Sequence, residues 1–150
     1  MLVFRIVHKK WSGTLKASGY PGRWNSAGIF ILYTAESRAL ACLENLVHMG
    51  RTDPGHHFSC MVLEIPEDQV TVLEERVLST GCRAAGEPGY RLCRPHGDRW
   101  ISSSESLVLK IPSAIIPSEF NYLVNVRHPE FNKLRIYAVE PFTFDSRIRT

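Results

Sequence analysis

An α+β fold with mostly antiparallel or mixed sheets is what this sequence predicts. Short apolar runs that read as strands dominate the chain. One stretch only, Ala35 to Met49, repeats apolar residues at a clear helical spacing. No internal repeat, low-complexity run or linker interrupts the 150 residues, so a single domain spanning 1–150 with a real core is expected.

In chain order, Met1 to Val7 is a short apolar strand with Arg5 embedded in it. An arginine there either points outward from an edge strand or is buried and needs a partner. Lys9 to Pro21 is a polar connection broken by Gly13, Gly19 and Pro21, long enough to hint at a site mouth. Gly22 to Gly28 is a compact turn. It lacks the GxGxxG of a dinucleotide fold and the GK[ST] of a P-loop. Within it Arg23 and Asn25 can meet phosphate or ribose oxygens, and Trp24 reads as core. Ile29 to Tyr33 is the second strand, with Tyr33 at its C-terminal end.

The helix follows, with Ser37 as its cap and Gly50 as its stop. Leu40, Leu43 and Val47 share one side and should face the core, while Arg38 and Asn45 take the wet side. Glu44 falls one turn after Leu40, at the edge of the apolar stripe. Alone, such a glutamate reads as a snorkelling or salt-bridged residue. Its company is unusual: an arginine, an asparagine and a tyrosine precede it closely.

Gly50 to His57 is a polar loop. Its adjacent His56 and His57 lack the neighbours of a metal site. Phe58 to Ile65 is a strand ended by Pro66, and Val70 to Leu73 another short one. Glu74 to Arg99, rich in glycine and proline, reads as short irregular elements. The serines at 102–104 can cap a short segment before the strand Ser106 to Pro112. In Glu119 to Val126, Asn121 and Asn125 share one face if the stretch is helical. Leu134 to Val139 is a strand, Phe142 to Asp145 a terminal one, and Asp145 and Arg147 a local pair.

Composition narrows the function. A net charge of +3 is too weak for a nucleic-acid binder and suits an anionic small ligand. Lys9 and Lys10 interrupt the N-terminus before any signal-peptide core, and no membrane-spanning run follows, which predicts a cytoplasmic protein. Cys42, Cys60, Cys82 and Cys93 contain no CxxC and no zinc-like pairing, and Cys42 and Cys60 read as buried free thiols. GxSxG is absent around Ser113, which removes a serine hydrolase. No metal-binding carboxylates for phosphoryl transfer are found. A carboxylate, one or two arginines and an aromatic instead suit a nucleotide diphosphate: arginine neutralises pyrophosphate, tyrosine offers a flat face, and the carboxylate stabilises positive charge on ribose.

Gly22-Arg23-Trp24-Asn25, then Gly28, Tyr33, Ala41, Glu44 and His48, resemble the front half of a RES domain. Trp100, Ile111-Pro112-Ser113-Ala114, Pro117, Glu119, Asn121, Asn125, His128, Pro129 and the ending Pro141 to Arg147 are similar to its back half. The resemblance implies a toxin of a bacterial toxin–antitoxin pair with an ADP-ribosyltransferase-like fold and an NAD cleft. It implies NAD as substrate, cleaved by hydrolysis or phosphorolysis without a metal. Protein ADP-ribosylation, or a module that binds the antitoxin without catalysis, are the alternatives. The implied partner is an Xre-like antitoxin with a helix-turn-helix domain that covers the site, in a complex where the toxin can pair as a homodimer. By the same resemblance Arg5 and Arg23 match cleft arginines, Tyr33 and Glu44 the family's tyrosine and glutamate, Ser113 its serine, and Asn121 and Asn125 a polar pair. Lys9 to Pro21 departs from the family by lacking a glycine-dense run, so the rim of the cleft is expected to differ.

Overall fold

Runs rich in β-branched and aromatic residues pair into one sheet with helices on a single face; its central strands are buried on both sides, while the edges stay half-exposed. The computed structural model describes residues 1–49 and 57–148. The loop expected at Gly50 to His57, with its stop signal at Gly50 and with His56, therefore lies outside the described residues except for His57.

Among the described residues seven strands form the sheet: β1 (Leu2–His8), β2 (Ile31–Ala35), β3 (Phe58–Glu64), β4 (Val70–Val72), β5 (Val108–Pro112), β6 (Phe120–Asn125) and β7 (Arg135–Phe142). Their order is β4-β5-β6-β2-β1-β3-β7. β4 and β5 run parallel, and every other neighbouring pair is antiparallel. This is the mixed α+β architecture that the short apolar runs predict.

Strand alternation sorts the core into two faces. On one face Val3, Leu32, Met61, Leu63, Val108 and Val124 form a cluster covered by loop residues such as Leu15 and Ala17. The other face carries helices α1 (Arg38–Met49) and α2 (Glu87–Ser103). Leu40 and Ala41 of α1 pack with Ile6, Ala35 and Cys60, and Cys93 and Trp100 of α2 with Ile31, Leu109, Ile111 and Leu123. Among the described residues no helix is long and apolar enough to cross a membrane.

The join between β1 and β2 positions the site. β1 pairs with β3 along its whole length, but with β2 only at Phe4–Ala35. Continued antiparallel pairing would set Arg5 opposite Thr34 and Ile6 opposite Tyr33. The strands instead diverge there, leaving an open seam.

Several expectations are corrected. Ser37 does cap α1, accepting from the Leu40 amide at 3.0 Å. Of the proposed core stripe, however, only Leu40 is buried; Leu43 is 37% and Val47 64% exposed. Asn45, expected on the wet side, instead donates to the carbonyls of Ile6 and Ala41. The helix is turned so that Leu40, Ala41, Asn45 and Leu46, rather than Leu43 and Val47, face the sheet. Tyr33 is in the middle of β2, because the strand runs on to Ala35. Asn121 and Asn125 lie on a strand, and β7 continues to Phe142, with no strand over 143–145. The pair Asp145–Arg147 forms as expected.

The largest correction is α2, a 17-residue helix where irregular structure was expected. Pro88 lies in the first turn, where no intrahelical donor is lost. Pro95 is on the exposed side. Gly89 and Gly97 are buried because the backbone passes close by. A Cβ on Gly89 would stand 2.0 Å from the Ala84 carbonyl oxygen, and one on Gly97 1.8 Å from that of Trp24. The serine cluster ends this helix rather than starting another: Ser102 and Ser103 donate to the Asp98 and Trp100 carbonyls, and Ser104 takes a left-handed φ of 47°.

Candidate active site

The open seam is the mouth of a cavity of about 490 Å³, within the ordinary span of ligand pockets. Consecutive residues of both strands line it, Phe4 to Val7 and Tyr33 to Ala35. Alternating side chains of one strand point to opposite faces, so this lining belongs to two strand edges, not to one sheet face. The turn at 22–24, the inner side of α1 and Tyr90 of α2 complete the wall.

Of the residues singled out from the sequence, Arg5, Arg23, Tyr33, Glu44 and Asn121 all line this cavity. Glu44 comes from α1 and Asn121 from β6, at the register position opposite Ala35. Asn121 Nδ2 donates to Glu44 Oε1 at 2.5 Å, and Ser113 Oγ donates to the same oxygen at 3.2 Å. Ser113 is almost wholly buried behind the carboxylate. Its hydroxyl also accepts from the Ile115 and Ile116 amides, at 3.0 and 3.2 Å. The serine is thus a bracket for the carboxylate, with its lone pairs already engaged.

Arg5 is on a central strand, which overturns the outward edge-strand alternative. Its Nη1 is buried with no hydrogen-bond partner, and burial depresses its pKa. The Oδ1 of Asn121 is likewise buried and unpartnered. Both atoms are shut off from solvent behind the cavity wall, and orphaned polar groups of this kind are costly.

Arg23 is held differently. Its Nη1 donates to the carbonyls of Cys82 and Ala84 at 2.5 and 3.1 Å, and its guanidinium lies 4.9 Å above the Tyr90 ring. Tyr33 offers its ring but not its hydroxyl. That hydroxyl donates to Asn25 Oδ1 at 2.6 Å and accepts from the Trp24 amide at 3.1 Å. Burial raises its pKa above the ordinary tyrosine value.

Three candidates do not line the cavity: Ser113, which only braces Glu44 from behind, Asn25 and Asn125. Asn25 is buried inside the turn, its Nδ2 spent on the Tyr20, Ser26 and Ile29 carbonyls, so it positions Tyr33. Asn125 is at the far end of β6, where its Oδ1 accepts from the Arg127 amide. Trp24 is core, as read.

Tyr90 and Asn45 also line the cavity without having been singled out from the sequence. Tyr90 was hidden inside the unexpected helix. Asn45 follows Glu44 directly and was placed on the wrong side of α1. Among the described residues no group of His, Cys, Asp and Glu could hold a metal. All four cysteines are free, and burial pushes the Cys93 thiol up to about 12, leaving no thiolate there at neutral pH.

The cavity is thus lined by the braced carboxylate of Glu44, by Arg5 and Arg23, and by Tyr33. The family model described as "RES domain" matches residues 2–145. A protein named "Toxin Res" from Pseudomonas putida is 40% identical over 99% of this chain and 99% of its own length. Another "Toxin Res", from Yersinia enterocolitica, is 33% identical over 99% of this chain and all of its own. The "Prs ADP-ribosylating toxin" of a Sphingobium species is 34% identical over 85% of this chain and 80% of its own. With the match running from the first strand to Asp145, and with the Pseudomonas and Yersinia relatives aligned over 99% or more of their length, the chain belongs to the RES domain family.

Proposed function

We propose that this chain is the toxin of a toxin–antitoxin pair and acts on NAD by cleaving the bond between nicotinamide and ribose. The observation that carries this reading is the Glu44 carboxylate, fixed by Asn121 and Ser113 on the wall of a cavity that also holds two arginines.

In this reading Arg23 and Arg5 bind the pyrophosphate or nearby ribose oxygens, and Tyr33 presents its ring to a base or to nicotinamide. The glycosidic C–N bond breaks with its electron pair passing to the pyridinium nitrogen, which discharges it. Ribose C1 is left with oxocarbenium character, and Glu44 stabilises that charge from a partly dry site. An oxygen of water or of inorganic phosphate then bonds to C1. With water a proton goes to solvent and ADP-ribose is released; with phosphate the product is the 1-phosphate.

Purified protein incubated with NAD is expected to release nicotinamide, followed by chromatography with and without phosphate. Absence of release at high enzyme load in both conditions overturns the reading. A second reading, transfer of ADP-ribose to a protein, is favoured by one observation, the likeness to the Sphingobium ADP-ribosylating toxin. Controlled expression in bacteria without an antitoxin separates the two. NAD cleavage predicts that cellular NAD falls before growth stops, and protein modification predicts arrest with stable NAD. An Xre-like antitoxin with a helix-turn-helix domain, seated over the cavity, is expected to restore growth in either case.

A further inference from the structure

We propose that Tyr90, a residue of α2, is a positioning residue that sets Arg23 to grip the pyrophosphate of the ligand; this rests on the NAD reading above. Two carbonyls, the Tyr90 ring and the Cys93 thiol hold the arginine. The Cys82 and Ala84 carbonyls take Nη1, at 2.5 and 3.1 Å. The Tyr90 ring lies beneath the guanidinium at 4.9 Å. The ring is itself held, because Arg94 lies 5.6 Å from it while binding Glu87 and the Gly22 carbonyl.

The donor arithmetic gives the consequence. With Nη1 engaged by two carbonyls, Nε and Nη2 remain. That is the side-on pair that binds an oxyanion bidentately. Carbonyls alone anchor one corner of the guanidinium and leave its plane free to tilt. A flat ring against one face removes that freedom and favours the cation electrostatically. The close packing at Gly89 points the same way: a Cβ there would stand 2.9 Å from Arg23 Nη1 as well as 2.0 Å from the Ala84 oxygen. α2 and the arginine are thus built around each other, and both Arg23 and Tyr90 face the cavity.

The test compares Tyr90→Leu with Tyr90→Phe, reading both NAD kinetics and ADP binding by calorimetry. ADP serves as a pyrophosphate probe that needs no turnover. Tyr90→Leu is expected to raise KM for NAD roughly tenfold and to weaken ADP binding by a similar factor. The effect on kcat should stay within about threefold. Tyr90→Phe keeps the ring and recovers most of both losses. In an Arg23→Lys background, which lacks the fork, the Tyr90→Leu effect shrinks to about twofold or less. Should Tyr90→Leu fail to fold, Tyr90→Met carries the same comparison. Unchanged ADP affinity in the ringless variant, an equal loss in Tyr90→Phe, full additivity with Arg23→Lys, or wild-type protein that binds no ADP each overturn the proposal. Wild-type protein that binds ADP yet releases no nicotinamide ends the NAD-cleavage reading instead, and Tyr90 is then decided by ADP affinity.

Discussion

Glu44→Gln folds like the wild type and loses roughly 10²-fold or more in kcat for NAD cleavage, with a modest change in KM. The geometry makes this substitution unusually clean. Two donors, Asn121 Nδ2 and Ser113 Oγ, converge on one carboxylate oxygen. A glutamine amide satisfies both by turning its own oxygen toward them, which leaves its NH₂ in place of the second carboxylate oxygen. Shape and bracing survive, and the negative charge is replaced by a donor. In the proposed reaction that charge stabilises an oxocarbenium-like ribose, so turnover should fall while binding through the arginines persists. A purely structural Glu44 makes the opposite forecast: retained turnover, with a stability shift of about 1 kcal/mol or less. Steady-state nicotinamide release, paired with a thermal melt of both proteins, separates the two. Retained turnover in Glu44→Gln removes this residue from the chemistry.

Much of this site was legible in the sequence because its residues are charged or aromatic in places where packing alone would not put them. Arg5 inside a strand and Glu44 beside a helical stripe are departures from binary pattern, and such departures are where function shows. Their orientation was less legible. Helical spacing placed Glu44 on the same side as Leu40 correctly, but it weighted Leu43 and Val47 as core. Leu43 is 37% exposed, and Val47, 64% exposed, borders the cavity instead of the core. The strands that are short apolar runs closed by turn residues, such as β1, β3 and β5, were legible. β6, with Asn121 and Asn125 in it, also fitted a helix, and the terminal strand expected from Phe142 to Asp145 does not form. α2 was not legible, and for a physical reason. Propensity treats Pro88, Gly89, Pro95 and Gly97 as helix breakers, whereas two of them are glycines needed for backbone contact with Ala84 and Trp24. That need is tertiary and leaves no local signature. Tyr90 was lost with the helix that carries it. Likewise Asn25 and Asn125 look as suitable for a ligand as Asn121 does, and only the fold tells the residue facing the cavity from the two holding backbone turns.

Gly97→Ala should destabilise the protein strongly, although alanine is the better helix former by about 1 kcal/mol. The added Cβ would stand 1.8 Å from the Trp24 carbonyl oxygen, 2.9 Å from its carbonyl carbon and 3.2 Å from its Cβ. The nearest of these are backbone atoms, so no rotamer change relieves the clash; the helix or the turn has to move. Both are tied at this point. Asp98 accepts from the Ser26 amide and hydroxyl at 2.9 and 2.6 Å, and Arg94 Nε donates to the Gly22 carbonyl at 2.9 Å. Separating them strains three hydrogen bonds as well as the packing of buried Trp24 and Trp100. Overpacking of this kind costs about 3 kcal/mol, which in a chain of this size lowers Tm by roughly 6–12 °C. The same displacement moves the turn that carries Arg23, so KM for NAD should rise alongside the loss of stability. Gly13→Ala is the control: nothing stands within 4 Å of its would-be Cβ, and its Tm should match the wild type or exceed it slightly. A Gly97→Ala protein that melts with the wild type would mean that α2 does not press on the turn. It would also detach the position of Arg23 from the packing of that helix.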